Sequence, residues 1–273
     1  MPESSFLTAC IQLSCTSDMS RNLEAAEALI RQAAEEGAVL IATPENTPFL
    51  GPHARKVALA EPLDGPTLSR FSKLADELCI HLLIGSTAEV APEDPQRCFN
   101  TSVLYGPNGQ RLASYRKIHL FDVDVTDGVR FVESDTVAPG NELVVAQTPL
   151  GGIGMSVCYD LRFPGVYQGL RDQGAAILTV PSAFTQKTGL AHWHTLLKAR
   201  AIENQCWVLA PGQTGKHDDE GLRHSYGHSL IINPWGEVVA EIEDGEGYCM
   251  AEIDLNAMES IRAGMPVAEH RRV

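Results

Sequence analysis

The chain has 273 residues, 44% hydrophobic and 21% charged, an ordinary globular composition at a length that buries a core without disulfides. Its 35 acidic and 21 basic side chains leave a net charge of −14. A surface of that sign repels phosphate backbones and anionic lipid, so nucleic-acid binding and membrane docking are not expected.

The opening MPESSFLTACIQLSC has neither the basic start nor the long apolar run of a signal peptide. Within it FLTACIQL (6–13) reads as a strand. The next stretch, 22–38, reads as a helix: Leu23, Ala26, Leu29, Ile30 and Ala33 keep the helical period, and Gly37 is placed to stop it. A strand is predicted over 39–45, a helix over 68–80 and a strand over 81–90. Residues 102–117 read as a hairpin turning at Pro107-Asn108-Gly109. Strands over 152–158, 175–184 and 206–213 follow, separated by helices near 165–173 and 189–204. A second hairpin over 229–242 turns at Pro234-Trp235-Gly236. This alternation predicts an α/β fold with mixed sheets packed on each other and helices outside. The two hairpins hint at two similar halves, and the absence of a linker predicts one domain over 1–273.

No apolar run approaches the roughly 20 residues that cross a bilayer. Seven cysteines (Cys10, Cys15, Cys79, Cys98, Cys158, Cys206 and Cys249) form an odd, scattered set without a C-x-x-C pair. That pattern predicts reduced thiols in the cytoplasm and no structural zinc site.

Three apolar runs end in groups that can do chemistry. VLIATPEN delivers Glu45, LASYRKIHL delivers Lys117, and GMSVCYD delivers Cys158. Strand ends are where α/β proteins gather their sites. A thiol is a strong nucleophile that needs a base or a depressed pKa; a carboxylate can take its proton and later activate water; an ammonium can hold a thiolate or an oxyanion. Backbone N–H groups after Cys158 could add to that hole, and Pro164 suits the first position of a following helix. Arg162, four residues beyond Cys158, carries a planar fork that matches a carboxylate.

Glu45 in ATPEN, Lys117 in YRKIHLFD and Cys158 in SVCYDLRFP resemble the Glu-Lys-Cys triad of the nitrilase, or carbon–nitrogen hydrolase, superfamily, and the resemblance spans nearly the whole chain. It implies a four-layer α-β-β-α sandwich with two mixed sheets, covalent thiol hydrolysis of amides with no cofactor or metal, and homodimers or larger homo-oligomers. It assigns Glu133 in FVESDTVAPG as a further glutamate orienting the lysine, substrate amide or water. CYDLRFP, PSAFTQKTGLAHWH and SYGHSLIINPWGEVVA look like its ω-amidase branch, and most closely its deaminated-glutathione amidases. The implied products are 2-oxoglutarate and cysteinylglycine; the alternative substrate is 2-oxoglutaramate or a similar small amide bearing a carboxylate. Arg162 would bind the keto-acid carboxylate, with Tyr159, Phe184, Thr185 and Ser182 lining the pocket.

Each residue also has a plainer reading. Cys158 alone is a buried structural thiol, Lys117 a surface lysine, Glu45 a helix cap, and Glu133 a solvated loop residue. Arg162 can pair with Asp160 or another carboxylate. His119, His192 and His194 suggest a metal, but the spacing of His192 and His194 puts them on different helix faces, which favours packing or hydrogen bonding. Arg200 and Glu203 are spaced as a helical ion pair. Rival functions are an acyltransferase, passing a thioester to an amine, and a non-catalytic interaction protein.

Overall fold

A computed structural model describes residues 4–125, 129–217 and 223–272. In chain order the first elements are β1 (Ser5–Gln12), α1 (Met19–Glu35), β2 (Leu40–Ala42), α2 (His53–Ala58), α3 (Pro66–Leu78), β3 (His81–Val90), β4 (Cys98–Tyr105), β5 (Arg111–Arg116), β6 (Asp122–Val125), β7 (Val129–Val132) and β8 (Val137–Ala138). Then come β9 (Val144–Thr148), β10 (Gly151–Met155), α4 (Pro164–Asp172), β11 (Ala175–Thr179), α5 (Gln186–Asn204), β12 (Trp207–Ala210), β13 (Thr214–Lys216) and β14 (His224–Tyr226). The last are β15 (Ser229–Ile232), β16 (Val238–Ile242), β17 (Gly247–Asp254), α6 (Leu255–Gly264) and α7 (Val267–His270).

Two large mixed sheets result. One runs β17-β1-β2-β3-β4-β5, with β8 beside β4; the other runs β9-β10-β11-β12-β15-β16. Read in those directions, successive pairs in both are antiparallel, parallel, parallel, antiparallel and antiparallel. The two predicted hairpins, β4–β5 and β15–β16, take the same place in each, so the two halves repeat one topology.

Side-chain alternation assigns the layers. Ala9, Ile11, Ile41, Leu82 and Ile84 point from the first sheet into a cluster with Ala26, Ile30 and Ala33 of α1 and Phe71 and Leu74 of α3. The alternate residues Cys10, Leu40, Ala42 and Leu83 belong to the second cluster, with Ile153, Met155 and Ile177 of the other sheet and Leu170, Trp193 and Leu197 of α4 and α5. The order is therefore α-β-β-α, as the sequence predicts. Among the described residues no helix is long and apolar enough to cross a membrane.

Three expectations change in detail. The first helix begins at Met19, because the Asp18 side chain caps it by accepting from the Arg21 N–H at 3.2 Å. The strands predicted over 175–184 and 206–213 end at Thr179 and Ala210; Pro181 and Pro211 close those runs, and the residues beyond form loops at the site. Strand β17 was not predicted. GYCMAEID has few strong strand formers, yet it pairs with β1 along its whole length, from Ser5↔Asp254 to Gln12↔Gly247. Long-range pairing decides such a segment, not propensity.

One carboxylate joins the sheets beside the segments that carry Lys117 and Cys158. Asp160 is fully buried. Its Oδ2 accepts from the Tyr115 hydroxyl at 2.7 Å and the Val157 N–H at 2.9 Å, and its Oδ1 accepts from the His119 N–H at 3.0 Å with His119 Nδ1 at 2.8 Å. Burial, then the Asp160 charge, pushes the Tyr115 phenol well up, so it stays a donor. Asp160→Asn keeps the shape but turns an NH2 group towards these donors. It should cost about 2–4 kcal/mol and lower the calorimetric Tm by roughly 4–12 °C; an unchanged Tm would refute the cross-link.

Candidate active site

Glu45, Lys117 and Cys158 come together at the floor of one cleft, which Glu133, Tyr159, Phe184 and Thr185 also line. The cleft encloses about 740 Å³, counting its open mouth.

The backbone before each group is fixed by the fold. Glu45 lies three residues beyond β2, in a turn held against a bulge of β3. The β3–β4 register shifts between Ile84 and Thr87. That shift lets Ser86 bond the turn: its carbonyl accepts from the Thr47 N–H at 3.2 Å and its hydroxyl from the Asn46 N–H at 2.8 Å. Gly85 is required there, since a Cβ would sit 2.1 Å from the Thr43 carbonyl oxygen. Lys117 directly follows β5; its N–H donates to the Asn100 carbonyl and its own carbonyl accepts from Gly140. Cys158 opens a short 3-10 turn, Cys158–Arg162, that leads into α4 at Pro164. Its backbone is left-handed, φ 48°, a strained conformation for a residue with a side chain.

A buried charge network surrounds the thiol. Lys117 Nζ donates to Glu45 Oε1 at 2.9 Å and to Glu133 Oε2 at 2.8 Å, and it is 2% exposed. Glu45 Oε2 accepts from the Ala183 N–H at 2.9 Å. Phe121 donates its N–H to Glu133 Oε2 at 2.7 Å. Asn100, which the sequence analysis missed, donates through Nδ2 to Glu45 Oε1 at 2.9 Å and Glu133 Oε1 at 3.3 Å. Facing both carboxylates leaves Asn100 Oδ1 buried without a partner among the described residues. A polar residue inside β4 was the only available signal. The Cys158 thiol shares the cleft with the Glu45 carboxylate and Ala183. Burial and then Glu45 raise it well above the usual thiol range, against the opposing pull of Lys117, so the resting sulfur is protonated. Burial alone would depress Lys117, but Glu133 and Glu45 outweigh it and raise the ammonium. Burial would raise Glu133, but Lys117 and Lys56 together pull it down to about 2.

The substrate-binding expectations divide. Tyr159, Phe184 and Thr185 line the cleft; Arg162 and Ser182 do not. Ser182 Oγ donates to the Val180 carbonyl at 3.0 Å, and its main chain bonds Pro211 and Gln213, so it braces the loop. Arg162 lies behind the cleft wall. Its guanidinium carbon is 5.2 Å from the Phe184 ring centroid and 5.8 Å from that of Tyr159, and Nη1 is 3.3 Å from His192 Nδ1. It does not pair with Asp160, whose oxygens are engaged elsewhere. The histidines do not converge: His119 stacks on Phe163 at 3.6 Å, and His194 Nε2 meets Glu241 at 2.9 Å. His194, His228 and Glu241 place their ligand atoms within 4.8 Å of one another near the surface, away from the cleft. Arg200 pairs with Glu203 at 2.8 Å, as its spacing predicts, and also holds the Leu161 carbonyl.

Because Glu133 is depressed, its ionisation stabilises the fold fully above the unfolded carboxylate range near pH 4.5. That contribution is lost as pH falls towards 2. Glu133→Gln should remove this part of the acid dependence, flattening a Tm-versus-pH series between about pH 4.5 and 2; a series parallel to wild type would refute it.

The sequence pattern of the carbon–nitrogen hydrolase family matches residues 7–263. The chain is 41% identical over 268 residues to a deaminated glutathione amidase of Synechocystis, covering 97% of this chain and 98% of that one. It is 43% identical over 270 residues to the human deaminated glutathione amidase, covering 97% of this chain and 82% of the other. The crystal structure of Saccharomyces cerevisiae Nit3, of branch 10 of the nitrilase superfamily, superposes with a TM-score of 0.88 at 31% identity, covering 100% of this chain and 98% of that one. The chain belongs to the carbon–nitrogen hydrolase family of the nitrilase superfamily.

Proposed function

We propose that the chain, as one hydrolase domain over 1–273, hydrolyses the amide of deaminated glutathione to 2-oxoglutarate and cysteinylglycine. The observation that carries the chemistry is the place of Glu45, whose carboxylate accepts from the Lys117 ammonium and the Ala183 N–H and lines the same cleft as the Cys158 thiol, which its charge keeps protonated. The substrate is supported by the relatives that carry that name across nearly the whole chain.

Glu45 takes the thiol proton as Cys158 Sγ attacks the amide carbonyl. A standing thiolate is not used, because burial and Glu45 keep the resting thiol protonated. The oxyanion forms beside the Lys117 ammonium and the Tyr159 N–H, which has no hydrogen-bond partner among the described residues. The Cys158 N–H is not available for this, since it donates to the Pro181 carbonyl at 2.9 Å. Collapse breaks the C–N bond, Glu45 passes its proton to the leaving nitrogen, and a thioester remains. Glu45 then takes a proton from water, hydroxide adds to the thioester, and the C–S bond breaks. The sulfur regains the proton from Glu45, and the acid leaves. Glu133 and Asn100 hold Lys117 and Glu45 in place. Arg162, which has no carboxylate partner among the described residues, attracts the keto-acid carboxylate past Tyr159 and Phe184. The family resemblance supports a homodimer and a cytoplasmic setting as parts of the same proposal.

Steady-state kinetics on deaminated glutathione, 2-oxoglutaramate and an aliphatic nitrile test the reading. The first should give the highest kcat/KM, with cysteinylglycine released; a preference for the nitrile would overturn the proposal. Cys158→Ala should abolish turnover and the covalent acyl adduct seen by intact-protein mass spectrometry. Glu45→Gln should lower kcat on the order of 100- to 10,000-fold. Wild-type turnover in either variant would remove that residue from the mechanism.

A further inference from the structure

Three side chains that can bind a metal meet away from the cleft. His194 comes from α5, His228 from the turn between β14 and β15, and Glu241 from β16. Their ligand atoms all lie within 4.8 Å of one another. His194 Nε2 stands 2.9 Å from Glu241 Oε1, and His228 Nδ1 stands 2.6 Å from the same oxygen. Two imidazoles thus aim a ring nitrogen into one small volume that already holds a carboxylate oxygen. Among the described residues no other three histidine, cysteine, aspartate or glutamate side chains come together in this way.

Both rings are oriented by contacts that do not involve Glu241. His228 has a left-handed backbone, φ 55°, strained for a residue with a side chain. Its N–H donates to the Glu243 carbonyl at 3.1 Å, and its carbonyl accepts from Trp193 Nε1 at 2.9 Å. Tyr226 stacks on the His228 ring, centroids 4.1 Å apart, and meets the His194 ring edge-on at 6.2 Å. Gly189 lets α5 close on that tyrosine, since a Cβ there would sit 2.3 Å from Tyr226 Cγ. A part-exposed histidine–glutamate pair alone contributes little, less than a left-handed backbone costs at such a residue. Rings fixed in advance of their shared partner are what a ligand site requires.

Two imidazole nitrogens and one carboxylate oxygen make a donor set that suits zinc, with a fourth position open to water. Bonds of about 2.0–2.2 Å in tetrahedral geometry put the donors roughly 3.4 Å apart, so an entering ion parts each nitrogen from the Glu241 oxygen by under about 1 Å. The three side chains keep 33%, 22% and 26% of their surface exposed, which leaves a hydrated ion a way in. A net charge of −14 draws cations to the molecule.

We propose that His194, His228 and Glu241 form a binding site for a zinc-class divalent cation, which fastens α5 to the β15–β16 hairpin. The ion takes the place of any proton on the two nitrogens that face Glu241. The site uses none of the seven cysteines, so it stands apart from the thiolate zinc sites that their spacing argues against. The His228 carbonyl also seats Trp193, whose ring lies 5.0 Å from that of Phe184 in the cleft wall, so the ion braces the back of that wall. The site does not depend on the proposed function, and its failure leaves that reading untouched.

The experiment titrates zinc chloride into chelator-treated full chain carrying Cys158→Ala, which removes the cleft thiol as a competing ligand. Isothermal calorimetry should show one ion bound per chain. His194→Ala, His228→Asn and Glu241→Gln, each added to that background, should weaken binding at least 10-fold or so. Asparagine tolerates the left-handed backbone, so His228→Asn tests the ligand rather than the turn. Cobalt chloride should give the visible absorption of a tetrahedral ion without a thiolate charge-transfer band, and zinc at a hundred times Kd should raise the Tm by roughly 4–8 °C. Failure to bind zinc overturns the proposal. So does a thiolate band, equal binding of magnesium chloride, or any one of the three variants that binds zinc as the background does. If one variant does not fold, the other two and the cobalt spectrum decide.

Discussion

An ammonium group in a dry interior is costly unless opposite charge accompanies it. Lys117 is 2% exposed and meets two carboxylates, from a turn after β2 and from the segment after β7. Removing one partner from such a network typically costs about 3–5 kcal/mol. The arrangement therefore demands that three distant chain segments meet with sub-ångström agreement, and much of the local architecture exists to satisfy it. Gly85 lets the Glu45 turn settle onto β3, the β3 bulge frees Ser86 to bond that turn, and Asn100 spans the two carboxylates from β4. Asp160 then ties the end of β5 to the turn that holds the thiol. The charges are rigid because the hydrogen bonds around them are nearly all made.

The two sheets divide the work. Glu45, Asn100 and Lys117 come from the first, Cys158 and Ala183 from the second, and the cleft opens where the loops beyond their parallel strands meet. Equal strand order in the two halves brings equivalent loop ends to one place. A single bound carboxylate oxygen of Glu45 reaches across, accepting from the Ala183 N–H at 2.9 Å. The proposed acid–base group and the proposed nucleophile are thus held by different sheets yet set by the same interface.

Sequence made some of this legible and hid the rest for physical reasons. Glu45, Lys117 and Cys158 stand out because few residue types can serve as base, cation and nucleophile, and each ends an apolar run. The paired hairpins announce themselves through Pro and Gly at their turns. Asn100 and Asp160 stayed hidden because their meaning lies largely in partners 33 to 55 positions away, which no local pattern encodes. Ser182 shows the converse. It sits in a string that resembles pocket residues, yet its hydroxyl turns to the Val180 carbonyl, and only the loop geometry reveals that. Strand β17 was overlooked because its composition says little and its partner β1 lies at the other end of the chain.

The protonated resting state of Cys158 has a consequence for what the protein ignores. Thiols react with oxidants and stray electrophiles mainly as thiolates, and a sulfur held neutral by burial and by the Glu45 charge presents little thiolate to them. In the proposed mechanism reactivity is switched on by a bound carbonyl that can accept the electrons while Glu45 accepts the proton. The proposed nucleophile is thereby selective in time as well as in space, idle towards oxidants and stray electrophiles and active only against a carbonyl that the cleft has already bound.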